Sequence, residues 1–164
     1  MTTQSRLLAD MLQHEHGCPD RAQHLIKVYA LAKAIGEAEN LPPVTQYTLE
    51  LAALLHDVGI RPCLEQTGHC TPREQEAEGA RVAAPMLQSL GVEETIAERI
   101  CFLIAHHHTT AGVDGPDWRI LLEADYLVNA YEGNQPEAAI RAAESHFFAT
   151  ETGKMFLQRM FGLK

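Results

Sequence analysis

The hydrophobic pattern of this chain is helical from end to end. The densest stretch runs Leu49-Glu50-Leu51-Ala52-Ala53-Leu54-Leu55 and passes into His56-Asp57-Val58-Gly59. A segment that is apolar almost all round belongs in a core. Elsewhere apolar residues recur every three or four positions. Leu25, Val28, Leu31, Ala32 and Ile35 form one such face, with His24 in the same row. Ile96, Ile100, Leu103 and Ile104 form a second, which leads to His106-His107-His108. Ile120, Leu121, Ala124, Leu127 and Val128 form a third, which also carries Asp125.

Start and stop signals divide the pattern into elements. A first helix is predicted from Ser5 to about His16, stopping at Gly17. Pro19-Asp20 opens a second, with Asp20 as its expected N-cap. Leu41-Pro42-Pro43 breaks the chain, and the next helix covers about Val44 to Asp57. Gly59 to Cys70, holding Pro62 and Gly68, has no period and is expected to be a loop. Thr71-Pro72-Arg73-Glu74 has the form of a capping box and starts a helix that runs to about Gly91. The next helix begins at Val92-Glu93-Glu94. After a loop at Gly112 to Gly115, helices follow from Asp114 or Pro116 to Gly133, from Pro136 to about Thr150 and from Thr152 to Phe161. No strand, repeat or interdomain linker stands out. The expected class is all-α, a single-domain helical bundle with roughly seven or eight helices.

Composition narrows what such a bundle does. The chain has 164 residues, 46% hydrophobic and 21% charged, which suits one soluble globular domain. No apolar run is long enough to span a bilayer, and no secretory signal opens the chain, so a cytoplasmic location is expected. The net charge of -9 argues against tight nucleic-acid binding but leaves a small anionic substrate open, because a bound cation dominates its local field. The four cysteines, Cys18, Cys63, Cys70 and Cys101, form no CxxC pair and are expected to be reduced, with a Cys63–Cys70 bridge as the minor alternative.

The chemistry-bearing residues are His24, His56, Asp57 and Asp125. Ending a core helix in an imidazole beside a carboxylate is costly unless the groups are paired or hold a metal. Two neutral imidazoles and two carboxylates balance one divalent cation, and helices of a bundle can aim side chains into a shared site. The donor set suits Mn, Fe, Co, Ni or Zn, with Mg if waters complete the shell. Each residue alone has a plainer reading. A histidine on an apolar face is commonly a satisfied core residue, Asp57 could serve as a helix-end hydrogen bonder, and Asp125 could pair with Arg119 or Arg99.

Together these residues resemble the HD-domain superfamily of metal-dependent phosphohydrolases. The matching stretches are Asp20-Arg21-Ala22-Gln23-His24, the run Leu51 to Gly59 with His56-Asp57, and Leu121-Leu122-Glu123-Ala124-Asp125. Glu78-Gly79-Ala80 and Ile104-Ala105-His106-His107 also match. The resemblance covers roughly residues 20 to 131. It implies one HD-type domain across residues 1–164, with C-terminal helices over about 135–161. It further implies His24, His56, Asp57 and Asp125 as ligands to one divalent ion, and hydrolysis of a nucleotide or other small phosphorylated metabolite by metal-activated water.

The chain also departs from the family's pattern. The family often carries Lys three residues after the Asp of the His-Asp pair. Ile60 stands there, followed by Arg61, which becomes the candidate phosphate contact. Family members with two metals use further histidines. Here Glu78, His106 and His107 are the candidates for a second ion or for positioning water beside Asp57. His106, His107 and His108 cannot all face one way. His14, His16, His69 and His146 are expected to be surface residues. Two rival readings are a metal-holding module that senses a nucleotide or partner without turnover, and a di-iron oxygenase on the same scaffold. The tail from Phe147 to Phe161, rich in Phe and Met, is expected to pack on the domain, with a homodimer contact as the alternative.

Overall fold

The computed structural model describes residues 1–163. Among them are nine helices and no strand: α1 (Thr3–His14), α2 (Pro19–Ala38), α3 (Pro43–Leu55), α4 (Ile60–Thr67), α5 (Pro72–Ser89), α6 (Glu94–Ile104), α7 (Pro116–Glu132), α8 (Glu137–His146) and α9 (Glu151–Phe161). None is long and apolar enough to cross a membrane.

Helix α3 is the axis of the bundle. Every residue from Thr48 to Leu55 is buried, as its nearly uniform hydrophobicity requires. It is packed by α2, α7, α6 and α1, and α2 and α7 also pack on each other. Helix α5 lies against α6, α4 packs on α5, and α9 docks on α7 and α8. Phe148 and Leu157 are buried, so the aromatic tail closes over the domain.

Two local expectations are corrected. The stretch after Gly59 is not a loop, because Ile60–Thr67 forms α4. Pro62 falls in the first turn of that helix, where a missing N–H costs nothing, and Gly68 ends it in the left-handed region at φ 75°. The residues that suggested a loop are thus a helix start and a helix stop. Asp20 is not the N-cap of α2. Cys18 holds that position without a side-chain hydrogen bond, and Asp20 lies in the first turn, where a carboxylate favours the helix dipole. The capping box of α5 forms as the pattern indicates: Thr71 Oγ1 accepts from Glu74 N–H, and the Glu74 carboxylate accepts from Thr71 N–H.

Gly59 brings the end of α3 against α5. A Cβ there would lie 2.2 Å from the Gln75 carbonyl oxygen and 2.4 Å from the Gly79 nitrogen. Only glycine permits that approach, and it sets the turn after Asp57 directly beside α5.

Candidate metal centre

Four elements meet at the end of α3. His24 comes from the second turn of α2, and His56 and Asp57 from the turn that ends α3. Asp125 comes from the middle of α7, and His107 from the turn that ends α6. The helix ends matter chemically. A helix leaves its last carbonyls without intrahelical partners, and these lock the rings. His56 Nδ1–H donates to the Ala53 carbonyl at 2.9 Å, and His107 Nδ1–H to the Ile104 carbonyl at 2.7 Å. His24 Nδ1–H donates to the Glu132 carboxylate at 2.8 Å. Each ring is therefore left with its Nε2 facing inward. The C-terminal ends of α3 and α6 add partial negative charge on the same side.

The inward atoms converge. His24 Nε2 lies 3.3 Å from His56 Nε2 and 3.1 Å from Asp125 Oδ1. His56 Nε2 is 3.4 Å from Asp125 Oδ1. Asp57 Oδ2 is 3.4 Å from His24 Nε2 and 3.6 Å from His56 Nε2. Ligands about 2.1 Å from one ion sit roughly 3.0–3.4 Å apart in octahedral or tetrahedral arrangements. The observed spacings fall in or close to that range. The donor set also demands a positive group: two lone-pair nitrogens and two carboxylates are all acceptors, and His24 and His56 are 7% and 0% exposed. Acceptors buried face to face are unfavourable without a shared proton or cation. His24, His56 and Asp57 group as potential metal ligands on distance alone.

A proton can serve the same purpose as a cation among these acceptors. Burial pulls the His24 imidazole down, but the Asp125 hydrogen bond and the charges of Asp57 and Asp125 outweigh it and push it up to about 9. Burial likewise works against the charged form of Asp125, yet His24 and His56 hold its carboxyl far below the usual range. His56 is raised by Asp57 and Asp125 against its own burial.

A family model for the HD domain matches residues 21–159. The chain belongs to the HD-domain family. Among solved structures, a protein from an uncultured Thermotogales bacterium, described as a predicted HD superfamily hydrolase, superposes with a TM-score of 0.70 at 23% identity. That match covers 96% of this chain and 84% of the other, and it speaks for the shared fold. A search of curated proteins finds no match.

The structure of this HD domain sorts the remaining candidates. His107 is 2% exposed, with Nε2 3.2 Å from Asp57 Oδ1, so it joins the centre. His106 does not. Its ring stacks on Phe102 with centroids 4.2 Å apart and meets Trp118 edge-on, and its Nδ1–H donates to the Phe102 carbonyl. His108 lies outside His107 and near Glu76. Glu78 is turned to the surface, where it pairs with Arg81 at 2.6 Å. Arg61 donates through Nη1 to the carbonyls of His14 and His16 and through Nε to Glu65, so it closes the end of α1. Neither Arg119 nor Arg99 reaches Asp125. Arg99 holds Asp114 and Asp117, and Arg119 donates to the Phe147 carbonyl.

A cavity of about 490 Å³ opens over the centre, lined by Asp20, Arg21, His24, Lys27, Asp57 and Asn129 among others. Arg61 is not among its lining residues. Arg21 and Lys27 stand three residues either side of His24 and share its face of α2. Arg21 Nε donates to Glu15 at 2.7 Å, and Lys27 Nζ donates to Glu132 at 2.5 Å. Sequence reasoning missed Arg21, Lys27, Glu132 and Gln75. The spacing signals were present for three of them: i−3 and i+3 from His24, and i+7 from Asp125.

Proposed function

We propose that this HD domain is a metal-dependent phosphohydrolase acting on a small anionic phosphoester. The observation that carries the reading is the pair of inward Nε2 atoms of His24 and His56, 3.3 Å apart with both Nδ1–H groups donated away and two carboxylates beside them. His24, His56, Asp57 and Asp125 would hold one divalent ion. Bound there, the ion supplies Lewis acidity toward a phosphoryl oxygen and lowers the pKa of a coordinated water.

The protein's own groups do the rest. Glu132 fixes the His24 ring with Nε2 inward. Asp57 presents Oδ2 to His24 and His56 and turns Oδ1 toward His107, so one carboxylate joins the two sides of the centre. Arg21 and Lys27 put two cations on the cavity wall, where a phosphate would dock against an otherwise acidic protein. The arginine spends only Nε on Glu15, which leaves its Nη groups for a planar two-point contact.

The test compares chelator-stripped protein with protein reloaded with Mn, Co, Ni, Zn or Mg. Hydrolysis of p-nitrophenyl phosphate is expected only after reloading, and a panel of nucleoside monophosphates and sugar phosphates then ranks substrates. An equal rate from stripped protein refutes the mechanism.

A further inference from the structure

Asp57 faces two different donor sets, and only one has open acceptors. Oδ2 looks toward His24 and His56. Oδ1 looks toward His107, and Asp57, His107 and His108 form a second group with metal-ligand spacing. In that second group a side-chain amide already stands between the acceptors. Gln75 Nε2 hydrogen-bonds Asp57 Oδ1 and lies 3.2 Å from His107 Nε2. The His107 Nδ1–H is committed to the Ile104 carbonyl, so its Nε2 can only accept. An amide nitrogen has two hydrogens, and two acceptors use both.

We propose that the Gln75 amide takes the place of a second cation beside Asp57 and His107, so that the centre holds one ion per chain. The inference rests on the cation reading of the His24, His56, Asp57 and Asp125 group. It adds what limits that centre to a single ion. The amide donates where a ligand would have to accept, and it brings no charge of its own. Nor can it withdraw easily. Gln75 is 8% exposed, and its backbone is pinned against Gly59, where the Gln75 carbonyl oxygen leaves no room for a Cβ. The amide oxygen is the weaker kind of ligand and is turned away here, so replacing the inward NH2 with a group that can only accept turns the plug into a ligand. Gln75→Glu does this with almost unchanged shape, and Gln75→His does it with a borderline-soft nitrogen.

The experiment counts metal. Stripped full-length protein is dialysed against Mn(II), and bound metal is measured by elemental analysis and by electron paramagnetic resonance, with circular dichroism as the check on folding. Wild type is expected to hold one ion with the spectrum of isolated Mn(II). Gln75→Glu is expected to hold two, with the exchange-coupled spectrum of ions bridged about 3.5–4 Å apart. Gln75→His is the second variant should the first fold poorly. His107→Ala is expected to keep one ion, because His107 belongs to the other group. Two ions in wild type overturn the proposal, as does a single ion in both folded Gln75 variants, or loss of the ion in His107→Ala. Wild type that takes up no Mn(II) overturns the underlying cation reading instead, and is recognised by the absence of any bound-metal signal.

Discussion

Two acidic residues on α7, Glu123 and Asp125, lie two positions apart and face opposite fates. Glu123 is fully buried and surrounded by donors. Its Oε1 accepts from Ala149 N–H at 2.7 Å and Thr150 N–H at 3.1 Å, and its Oε2 from Thr150 Oγ1 at 2.5 Å. Asp125 faces the Nε2 atoms of two imidazoles whose other nitrogens are already spent. Both are carboxylates on one helix, and burial penalises the charge of each. Their titration differs in sign. Burial pushes Glu123 up, with the hydrogen bonds from Thr150 and Ala149 only partly opposing it, while His24 and His56 hold Asp125 far down in spite of burial. The contrast separates structure from chemistry. A buried acid among donors is complete, and it serves as a clamp that seats α9. A buried acid among acceptors is complete only when a cation or proton joins it.

The sharpest way to break this comparison is to neutralise Asp125. Asp125→Asn keeps the shape and removes one of the two charges that balance a divalent ion. Metal content is expected to collapse, and the proposed hydrolysis of p-nitrophenyl phosphate to fall by at least about 100-fold, beyond the range typical of outer partners. Glu123→Ala is expected to do the opposite. It strands three donors under α9 and removes the carboxylate against which Gly153 packs, where a Cβ would lie 2.2 Å from Oε2. A loss of about 3 kcal/mol is expected, or a melting point lower by roughly 6–12 °C, with metal content intact in the folded protein. If Asp125→Asn melted the fold while Glu123→Ala emptied the centre, the distinction would be reversed.

Residue type and helical period made much of this legible. His24, Asp125 and the His56-Asp57 ending stand out because each is a costly group in an apolar row. The HD resemblance and the all-helical class follow from the same rows. What escaped depended on contacts between elements. Gln75 carries no local signal: its meaning arises where α5, the end of α3 and the end of α6 meet. Glu78, three residues on, was the residue the pattern singled out on this helix, but Arg81 captures it at the surface. Helix α4 was hidden because Pro62 and Gly68 punctuate a helix as readily as they make a loop. Arg61 carried the right charge for a phosphate, yet its donors are drawn off by carbonyls at the end of α1 and in the turn that follows it.

A milder perturbation tests the support of the centre rather than its ligands. Glu132 accepts from His24 Nδ1–H and is itself anchored by Lys27. Glu132→Ala frees the ring to rotate and to change tautomer. Metal affinity is expected to fall by about 10–100-fold, measured by competition with a chromogenic chelator, while one ion still binds at saturation. Glu132→Gln retains an acceptor and is expected to lose less.

The smallest expected effect is the pH dependence of metal-free protein, and it separates the two acids without mutation. His24 moves from an ordinary value of 6.5 to about 9 on folding, facing Asp57, Asp125, Glu132 and His56. A raised value means the folded state holds the proton more tightly. That contribution to stability is complete below about pH 6.5 and is lost as pH climbs through 9. Asp125, lowered from 3.8, contributes above pH 3.8 and is lost on acidification below it. Glu123, raised from 4.5, has the reverse sign and favours folding more as pH falls. One pKa unit is about 1.4 kcal/mol, and because neighbouring groups share these protons the change in metal-free protein between pH 6.5 and 9 is expected to be only part of the full shift, on the order of 1–2 kcal/mol. That corresponds to a melting point lower by roughly 2–8 °C. Metal affinity should run the other way across the same window, tightening with pH, because an ion must displace the proton from His24 Nε2. Calorimetry of stripped and loaded protein at both ends of the window checks both slopes. A melting point for stripped protein that rises with pH there would mean His24 is not held by Asp125, and the contrast along α7 would lose its chemical half.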